Sequence, residues 1–232
     1  MDIKEAKVII TGGSTGIGYE TAKLLVIKGA SVVICSRNQA VIEKAAQEIG
    51  AIGLAADVSV EADVQALFSA ATEKLGGLNV VINNAGIGYI GSLLETSVDN
   101  FTKIWETNVK GAFLVGREAA NHFIPQRSGN IVNIASTAGQ KGFAGGTAYC
   151  ASKFAVSAMT ESWRAELRKD NIRVMQVNPS EVVTPFIEKC GFEPTKVDSK
   201  LKPSEIAHTI VAMLEMNDIG FITDATVWAT NP

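Results

Sequence analysis

Short apolar runs rich in β-branched residues alternate along this chain with longer segments in which apolar residues recur at helical spacing. This alternation restricts the fold more than any other feature, because strands that alternate with helices form a parallel sheet through crossover connections. The runs are apolar almost without interruption, which is typical of strands covered on both faces. We therefore predict an α/β fold with a doubly wound, seven-stranded parallel sheet and helices on both faces.

The predicted strands are the apolar runs at residues 7–11, 31–36, 52–56, 78–83, 129–135, 172–178 and 220–228. The predicted helices are the periodic segments at residues 16–28, 38–49, 60–75, 98–123, 147–169 and 203–216. A chain of 232 residues lies within the size range of one α/β domain, so we predict a single domain over residues 1–232.

Composition and charge argue against several classes of function. Hydrophobic residues make up 47% of the chain and charged residues 19%, which suits a globular protein with a substantial core. The net charge of -3 is small and the longest basic cluster, Arg168-Lys169, is followed at once by Asp170, so we expect no nucleic-acid partner. The first residues lack the layout of a signal peptide, and no apolar run approaches the ~20 residues of a membrane helix. We expect a soluble, cytoplasmic protein that does not bind membranes.

The cysteines Cys35, Cys150 and Cys190 lack the paired spacing of a zinc site or a disulfide framework. This usage suits a reducing compartment, and the two histidines of the chain stand alone, so we predict no metal site. Cys150 adjoins Tyr149; we interpret it as a small buried residue, with a modifiable thiol as the alternative.

A glycine-rich turn directly follows the first predicted strand and opens the first predicted helix. Glycines allow the backbone to approach phosphates closely, and the helix presents unpaired N–H groups and its positive dipole end to a pyrophosphate. This context predicts a dinucleotide-binding turn of the Rossmann type, with a purely structural turn as the alternative. Its predicted cofactor-binding residues are Gly12, Ser14, Thr15, Gly16, Ile17 and Gly18.

The end of the second predicted strand indicates which nicotinamide cofactor is used. An acidic side chain there bonds the adenosine ribose of NAD, whereas an arginine accommodates the 2'-phosphate of NADP. Here Ser36 brings no carboxylate, and Arg37 offers a forked, charge-assisted contact to a phosphate. We predict NADP(H), although Thr15 stands where many NADP-binding proteins carry a basic residue.

A catalytic group is predicted from Tyr149 and Lys153, which lie four residues apart on one face of a predicted helix. A free phenol has a pKa of about 10, and a nearby ammonium favours the phenolate, so we expect Lys153 to lower the pKa of Tyr149. Ser136 follows the fifth predicted strand, at the carboxyl edge where open α/β sheets bind ligands, and can hold a substrate oxygen.

These motifs, in this order, resemble the short-chain dehydrogenase/reductase family. The resemblance rests on Thr-Gly-x-x-x-Gly-x-Gly after the first strand, Asn-Asn-Ala-Gly at residues 83–86 and Tyr-x-x-x-Lys at residues 149–153, and it runs from Val8 to Thr184. It implies that Asn108 connects Lys153 to a proton relay from a locally distorted position in a long helix. It also implies further cofactor-binding residues, namely Asp57, Val58, Asn84, Tyr149, Lys153, Pro179, Val182 and Thr184. Asp57 has a structural alternative as an acid at a helix start.

The motifs divide the chain into residues 1–100, mainly for cofactor binding, and residues 101–184, with the catalytic residues Asn108, Ser136, Tyr149 and Lys153. Residues 185–202, rich in proline, glycine and charge, are predicted to form a substrate lid, with a plain surface loop as the alternative. Loops of that length often cover binding sites. The lid and the residues just before it supply apolar side chains that favour a ketone or aldehyde with an apolar body, namely Val183, Pro185, Phe186, Ile187 and Phe192.

The predicted activity is that of an NADPH-dependent carbonyl reductase. The catalytic half most resembles 3-oxoacyl-acyl-carrier-protein reductases, whose acidic carrier Arg127, Arg168 and Lys169 would help to dock. The alternatives are an NAD-dependent alcohol dehydrogenase and, because a fold does not determine function, a non-catalytic NADP(H)-sensing scaffold. Apolar residues around much of the helices at residues 98–123 and 147–169, together with the resemblance, predict a homodimer or homotetramer.

Overall fold

The computed structural model describes residues 1–190 and 197–231, and its centre is one seven-stranded sheet in the order β3-β2-β1-β4-β5-β6-β7. All neighbouring strands pair in parallel, as predicted. The strand order reverses between β1 and β4, which makes the sheet doubly wound. The strands are β1 (Lys7–Thr11), β2 (Ser31–Ser36), β3 (Ile52–Ala55), β4 (Val80–Asn83), β5 (Gly129–Ile134), β6 (Ile172–Pro179) and β7 (Asp224–Val227).

Helices cover both faces of the sheet. In the described part of the chain they are α1 (Gly16–Ile27), α2 (Gln39–Ile49), α3 (Glu61–Leu75), α4 (Val98–Trp105), α5 (Gly111–Gln126), α6 (Thr147–Leu167), α7 (Pro185–Lys189) and α8 (Pro203–Glu215). Val8 and Ile10 of β1 pack in one core with residues of α1, α2 and α8, whereas Ile9 packs in a second core with residues of α3 and α5. Successive side chains of a strand point to opposite faces, so the continuous apolar runs supply both cores.

The largest departure from the predicted elements lies in the helix expected at residues 98–123. It is interrupted by a π-helical turn, Glu106–Lys110, between α4 and α5. Such a turn inserts one residue into the helical ladder without changing the apolar pattern on either side, so periodicity does not reveal it. The family resemblance, in contrast, predicts a local distortion at Asn108, and the structure confirms that distortion. The last strand is also shorter than the predicted residues 220–228. Within the predicted lid the structure describes α7 and a short 3₁₀ turn, Val197–Ser199, whereas residues 191–196, with Phe192, lie outside the described residues.

No helix in residues 1–190 and 197–231 combines the length and apolar character that a membrane crossing requires.

Large apolar side chains are exposed on the face formed by α4, α5 and α6. Trp105 is 41% exposed, Phe113 42% and Phe154 45%, and the rings of Phe101 and Trp105 stack 6.0 Å apart. Clusters of exposed large apolar side chains are typical of interaction surfaces.

We expect this face to join two copies of the chain, so that the protein sediments as a dimer or tetramer at micromolar concentration. Phe154→Glu should weaken the association at least about tenfold, because it places a charge in an apolar interface. Ile27→Glu, at a residue 72% exposed on α1, is the matched control and should leave association unchanged. A monomeric wild type in sedimentation velocity would show the expectation to be wrong.

Candidate active site

The glycine-rich turn between β1 and α1 is shaped by backbone angles and close contacts that favour glycine. Gly12 and Gly16 have φ angles of 66° and 61°, in the left-handed region. A Cβ on Gly18 would lie 2.5 Å from the carbonyl oxygen of Gly12, so α1 starts against the turn without space for a side chain. The turn is therefore held close to the end of β1.

The amino terminus of α1 is open toward the carboxyl edge of the sheet. Thr15 is the N-cap residue, and within the described part of the chain no side chain caps this helix start. Ser14 is partly buried and Thr15 is exposed. Unpaired N–H groups with the helix dipole form an anion site, and this turn fits the pyrophosphate of a dinucleotide.

Asn84 braces the glycine turn from the neighbouring strand. Its Nδ2 donates to the carbonyl oxygens of Thr11 and Gly12, at 3.0 Å each. The hydroxyl oxygen of Thr11 accepts in return from the backbone N–H groups of Asn84 and Ala85, also at 3.0 Å. The Asn84 amide and the Thr11 hydroxyl thus hold the turn together. Nothing in the sequence pattern indicated this role for Thr11. Asn83, in contrast, donates to the carbonyl oxygen of Ala112 at 2.9 Å.

Arg37 follows β2 and Asp57 follows β3, so both lie at the carboxyl edge of the sheet, as the glycine turn does. Arg37 is exposed and Ser36 partly buried. Asp57 accepts hydrogen bonds from the backbone and hydroxyl of Ser59 at 2.9 and 2.7 Å. Burial opposes its charge, but these bonds and the cations Arg37 and Lys110 hold the pKa of Asp57 below its usual range. Asp57 is therefore an ionised acceptor with one oxygen already engaged.

Val58 is buried, and a Cβ on Gly111 would lie 2.8 Å from its Cγ2. Val58 therefore packs against the start of α5.

The structure brings Ser136, Tyr149 and Lys153 together where β5 ends. The Ser136 side chain lies close enough to the Tyr149 phenol to lower its pKa, and its hydroxyl oxygen accepts from the backbone N–H of Ala138 at 3.1 Å. The ammonium of Lys153 lies 5.9 Å from the centre of the Tyr149 ring and donates to the carbonyl oxygen of Ile134 at 2.9 Å. The predicted helical spacing of Tyr149 and Lys153 therefore places both against the end of one strand.

Burial governs the ionisation of both helix residues. Burial raises the pKa of Tyr149 to about 12, against the lowering effect of Ser136, and Cys190 and Cys150 raise it further. Burial lowers the pKa of Lys153 to about 8. The pKa of the phenol thus moves opposite to the sequence-based expectation, because loss of hydration disfavours the phenolate more than its neighbours favour it. Tyr149 is protonated at neutral pH.

Asn108 lies in the π-helical turn and is buried. Its Oδ1 accepts from the backbone N–H of Ile87 at 2.8 Å, and its Nδ2 donates to the carbonyl oxygen of Ile87 at 2.9 Å and to the Ser152 hydroxyl at 3.0 Å. A Cβ on Gly86 would lie 3.3 Å from Oδ1 of Asn108 and 3.8 Å from Nζ of Lys153. Gly86 therefore occupies the gap between the two side chains, and the relay between them stays a prediction.

The loop after β6 crosses toward the glycine turn. Pro179 ends β6, and Val182 is buried in a parallel bridge to Leu201. The methyl group of Thr184 lies 3.2 Å from where a Cβ on Gly16 would be. Thr184 thus contacts the glycine turn, Pro179 lies at the carboxyl end of β6, and Val182 packs in the core.

The described residues contain no group of three His, Cys, Asp or Glu side chains placed to hold a metal ion.

Comparisons with known proteins find relatives along almost the whole chain. The family model described as short chain dehydrogenase matches residues 6–192. An uncharacterised oxidoreductase of Staphylococcus epidermidis is 30% identical over 97% of this chain and 97% of its own. Carbonyl reductase family member 4 of Xenopus laevis is 35% identical, with 89% of each chain covered. The crystal structure of a 3-ketoacyl-(acyl-carrier-protein) reductase from Brucella melitensis, complexed with NADH, has a TM-score of 0.90 and 32% identity over 96% of each chain.

Proposed function

We propose that this chain, which belongs to the short-chain dehydrogenase family, is an NADP(H)-dependent carbonyl reductase that converts a ketone or aldehyde to an alcohol. The observation that carries the proposal is the meeting of Ser136, Tyr149 and Lys153 at the end of β5. The carboxyl end of the sheet and the glycine turn open to the same side, where α/β sheets bind their ligands.

The reduced nicotinamide, when bound, supplies a hydride for the carbonyl carbon. Ser136 holds the carbonyl oxygen through its hydroxyl, and Tyr149 donates the proton that this oxygen needs. With a pKa of about 12 the phenol enters the reaction protonated, and an alkoxide is a far stronger base than a phenolate, so proton transfer is downhill. The ammonium of Lys153 then stabilises the phenolate and holds the cofactor ribose.

The residues proposed to hold the cofactor are Gly12, Ser14, Thr15, Gly16, Ile17, Gly18, Arg37, Asp57, Val58, Asn84, Tyr149, Lys153, Pro179, Val182 and Thr184. Asn108 is proposed to connect Lys153 to solvent for reprotonation of the phenol.

The preference for NADP(H) rests on Ser36 and Arg37. An exposed guanidinium with no carboxylate at Ser36 fits the 2'-phosphate of NADP better than the free ribose of NAD. The Brucella reductase was crystallised with NADH, which keeps an NAD-dependent dehydrogenase as the second candidate.

Arg37→Ala should weaken NADPH binding about 10- to 100-fold and NADH binding far less. The reason is that a hydrogen bond to a charged group contributes about 1.5 to 3 kcal/mol, and only NADPH has the 2'-phosphate. Fluorescence titration of both cofactors checks this. Equal losses for the two would show that Arg37 does not bind the phosphate.

A role as a 3-oxoacyl-acyl-carrier-protein reductase is the closest competitor, and the position of the basic residues argues against it. Arg127 follows α5 and Arg168 follows α6, so both lie at the amino edge of the sheet, about 20 Å along β5 from the catalytic residues. Arg127 is also paired with Asp170 at 3.3 Å. A carrier bound to these arginines would lie at the edge of the sheet opposite to the catalytic residues.

The activity is tested with a panel of ketones, aldehydes and diketones, first with NADPH and then with NADH. The proposal expects turnover of apolar carbonyl compounds with NADPH, and cofactor binding without turnover on any of them would favour the sensing scaffold. A 3-oxoacyl thioester, free and attached to its carrier protein, completes the panel. A large gain in kcat/KM with the carrier would favour the fatty-acid role, and no gain would support the general reductase.

A further inference from the structure

Gly88, in the loop after β4, lies against the end of α7. A Cβ on Gly88 would overlap the Sγ of Cys190 and lie 2.7 Å from the Cζ of Phe186. The backbone of Gly88 is not among the positive-φ glycines, so its conformation does not require glycine. The requirement comes from the close approach of these two side chains.

The residue that follows α7 is hydrogen-bonded to the helical turn that carries Phe186, whose ring packs on the catalytic phenol. The ring of Phe186 packs on that of Tyr149, with centres 5.7 Å apart and planes at 50°. The backbone N–H of Cys190 donates to the carbonyl oxygens of Phe186 and Ile187 at 3.2 and 3.0 Å. A side chain on Gly88 would press on Cys190 and on the Phe186 ring itself, and would therefore change how Phe186 packs on Tyr149.

We propose that Gly88 is a positioning residue for substrate selection: its missing side chain lets Phe186 and Cys190 approach, and this fixes how closely Phe186 covers Tyr149. The width of the space above the phenol then limits the body of the carbonyl compound that reaches it. This inference rests on the proposed function for its substrate, but the packing itself does not.

The packing is tested without any turnover, by labelling cysteines with N-ethylmaleimide and following each site by mass spectrometry. In the wild type Cys190 is partly buried, whereas Cys35 and Cys150 are buried. Gly88→Ala should speed labelling of Cys190 about tenfold, which is about 1.4 kcal/mol and within the usual cost of overpacking. Gly220→Ala is the matched control, because a Cβ there meets nothing within 4 Å, and it should leave the rate unchanged.

Two results would overturn the proposal that Gly88 sets the packing of Phe186 and Cys190. One is an unchanged rate for Cys190 in Gly88→Ala. The other is equal labelling of Cys35, which would mean that the substitution loosens the whole domain rather than the end of α7.

The proposed role of Gly88 in substrate selection is tested by measuring KM for a small and a bulky ketone. Gly88→Ala should raise KM for the small ketone about tenfold and change KM for the bulky one much less, with NADPH affinity unchanged. Adding Cys190→Ala to Gly88→Ala should recover part of the loss, because it removes the closest overlapping atom. Equal changes for both ketones, or no recovery, would overturn the role in selection. A wild type inactive on every carbonyl compound would refute the proposed function while leaving the labelling result to stand.

Discussion

Tyr149→Phe is expected to lower kcat about 10²-fold or more, while NADPH binds with largely unchanged affinity. A positioned acid or base contributes roughly 10²- to 10⁴-fold, and this substitution removes only the proton-transfer group. Phenylalanine keeps the ring that packs on Phe186 and leaves the helix position unchanged. Single-turnover kinetics with NADPH and a ketone, together with a binding titration, separate the two effects.

Tyr19→Phe is the matched control for this experiment. The Tyr19 hydroxyl donates to Glu48 at 3.2 Å, outside the catalytic group, so the same loss of one hydroxyl should leave kcat unchanged. A Tyr149→Phe protein that keeps more than about a tenth of the wild-type kcat would refute Tyr149 as the proton donor.

The sheet was predictable because its strands are buried on both faces. Seven continuous apolar runs gave all seven strands, and β1 and β2 have the predicted bounds. The last strand was predicted too long, since the apolar residues before it continue the pattern but do not pair with β6. The strand begins at Asp224, opposite Gln176. Pairing, which is a tertiary property, decided where the strand starts.

The catalytic helix shows what helical spacing predicts and what it does not. Four-residue spacing placed Tyr149 and Lys153 on one face, and the structure brings both to the end of β5. Helical spacing does not show how deeply a side chain is buried, however, and burial determines the pKa values of Tyr149 and Lys153. Helical spacing does not predict the π-helical turn either, because Asn108 is held there by Ile87 and Ser152, which are distant in the sequence.

Lys153→Met is expected to reduce turnover strongly and, in addition, to remove a pH dependence of stability. The folded state lowers the pKa of Lys153 from 10.5 to about 8 because of burial. Between these values the unfolded chain binds a proton that the folded chain does not, so the wild type gains stability as pH rises through this window. Below about pH 8 the buried ammonium is charged, and its full desolvation cost is present in the folded state.

Denaturant unfolding at a series of pH values measures this effect. The free energy of unfolding of the wild type, relative to Lys153→Met, should rise by about 2 kcal/mol between about pH 8 and pH 9.5, because each pH unit is worth about 1.4 kcal/mol. Lys23→Met is the matched control, since the side chain of Lys23 is 48% exposed, and it should follow the wild-type curve. Turnover should fall about 10²-fold in Lys153→Met only. Parallel stability curves for the wild type and Lys153→Met would mean that Lys153 keeps an ordinary pKa in the folded protein, and that burial does not tune the catalytic helix.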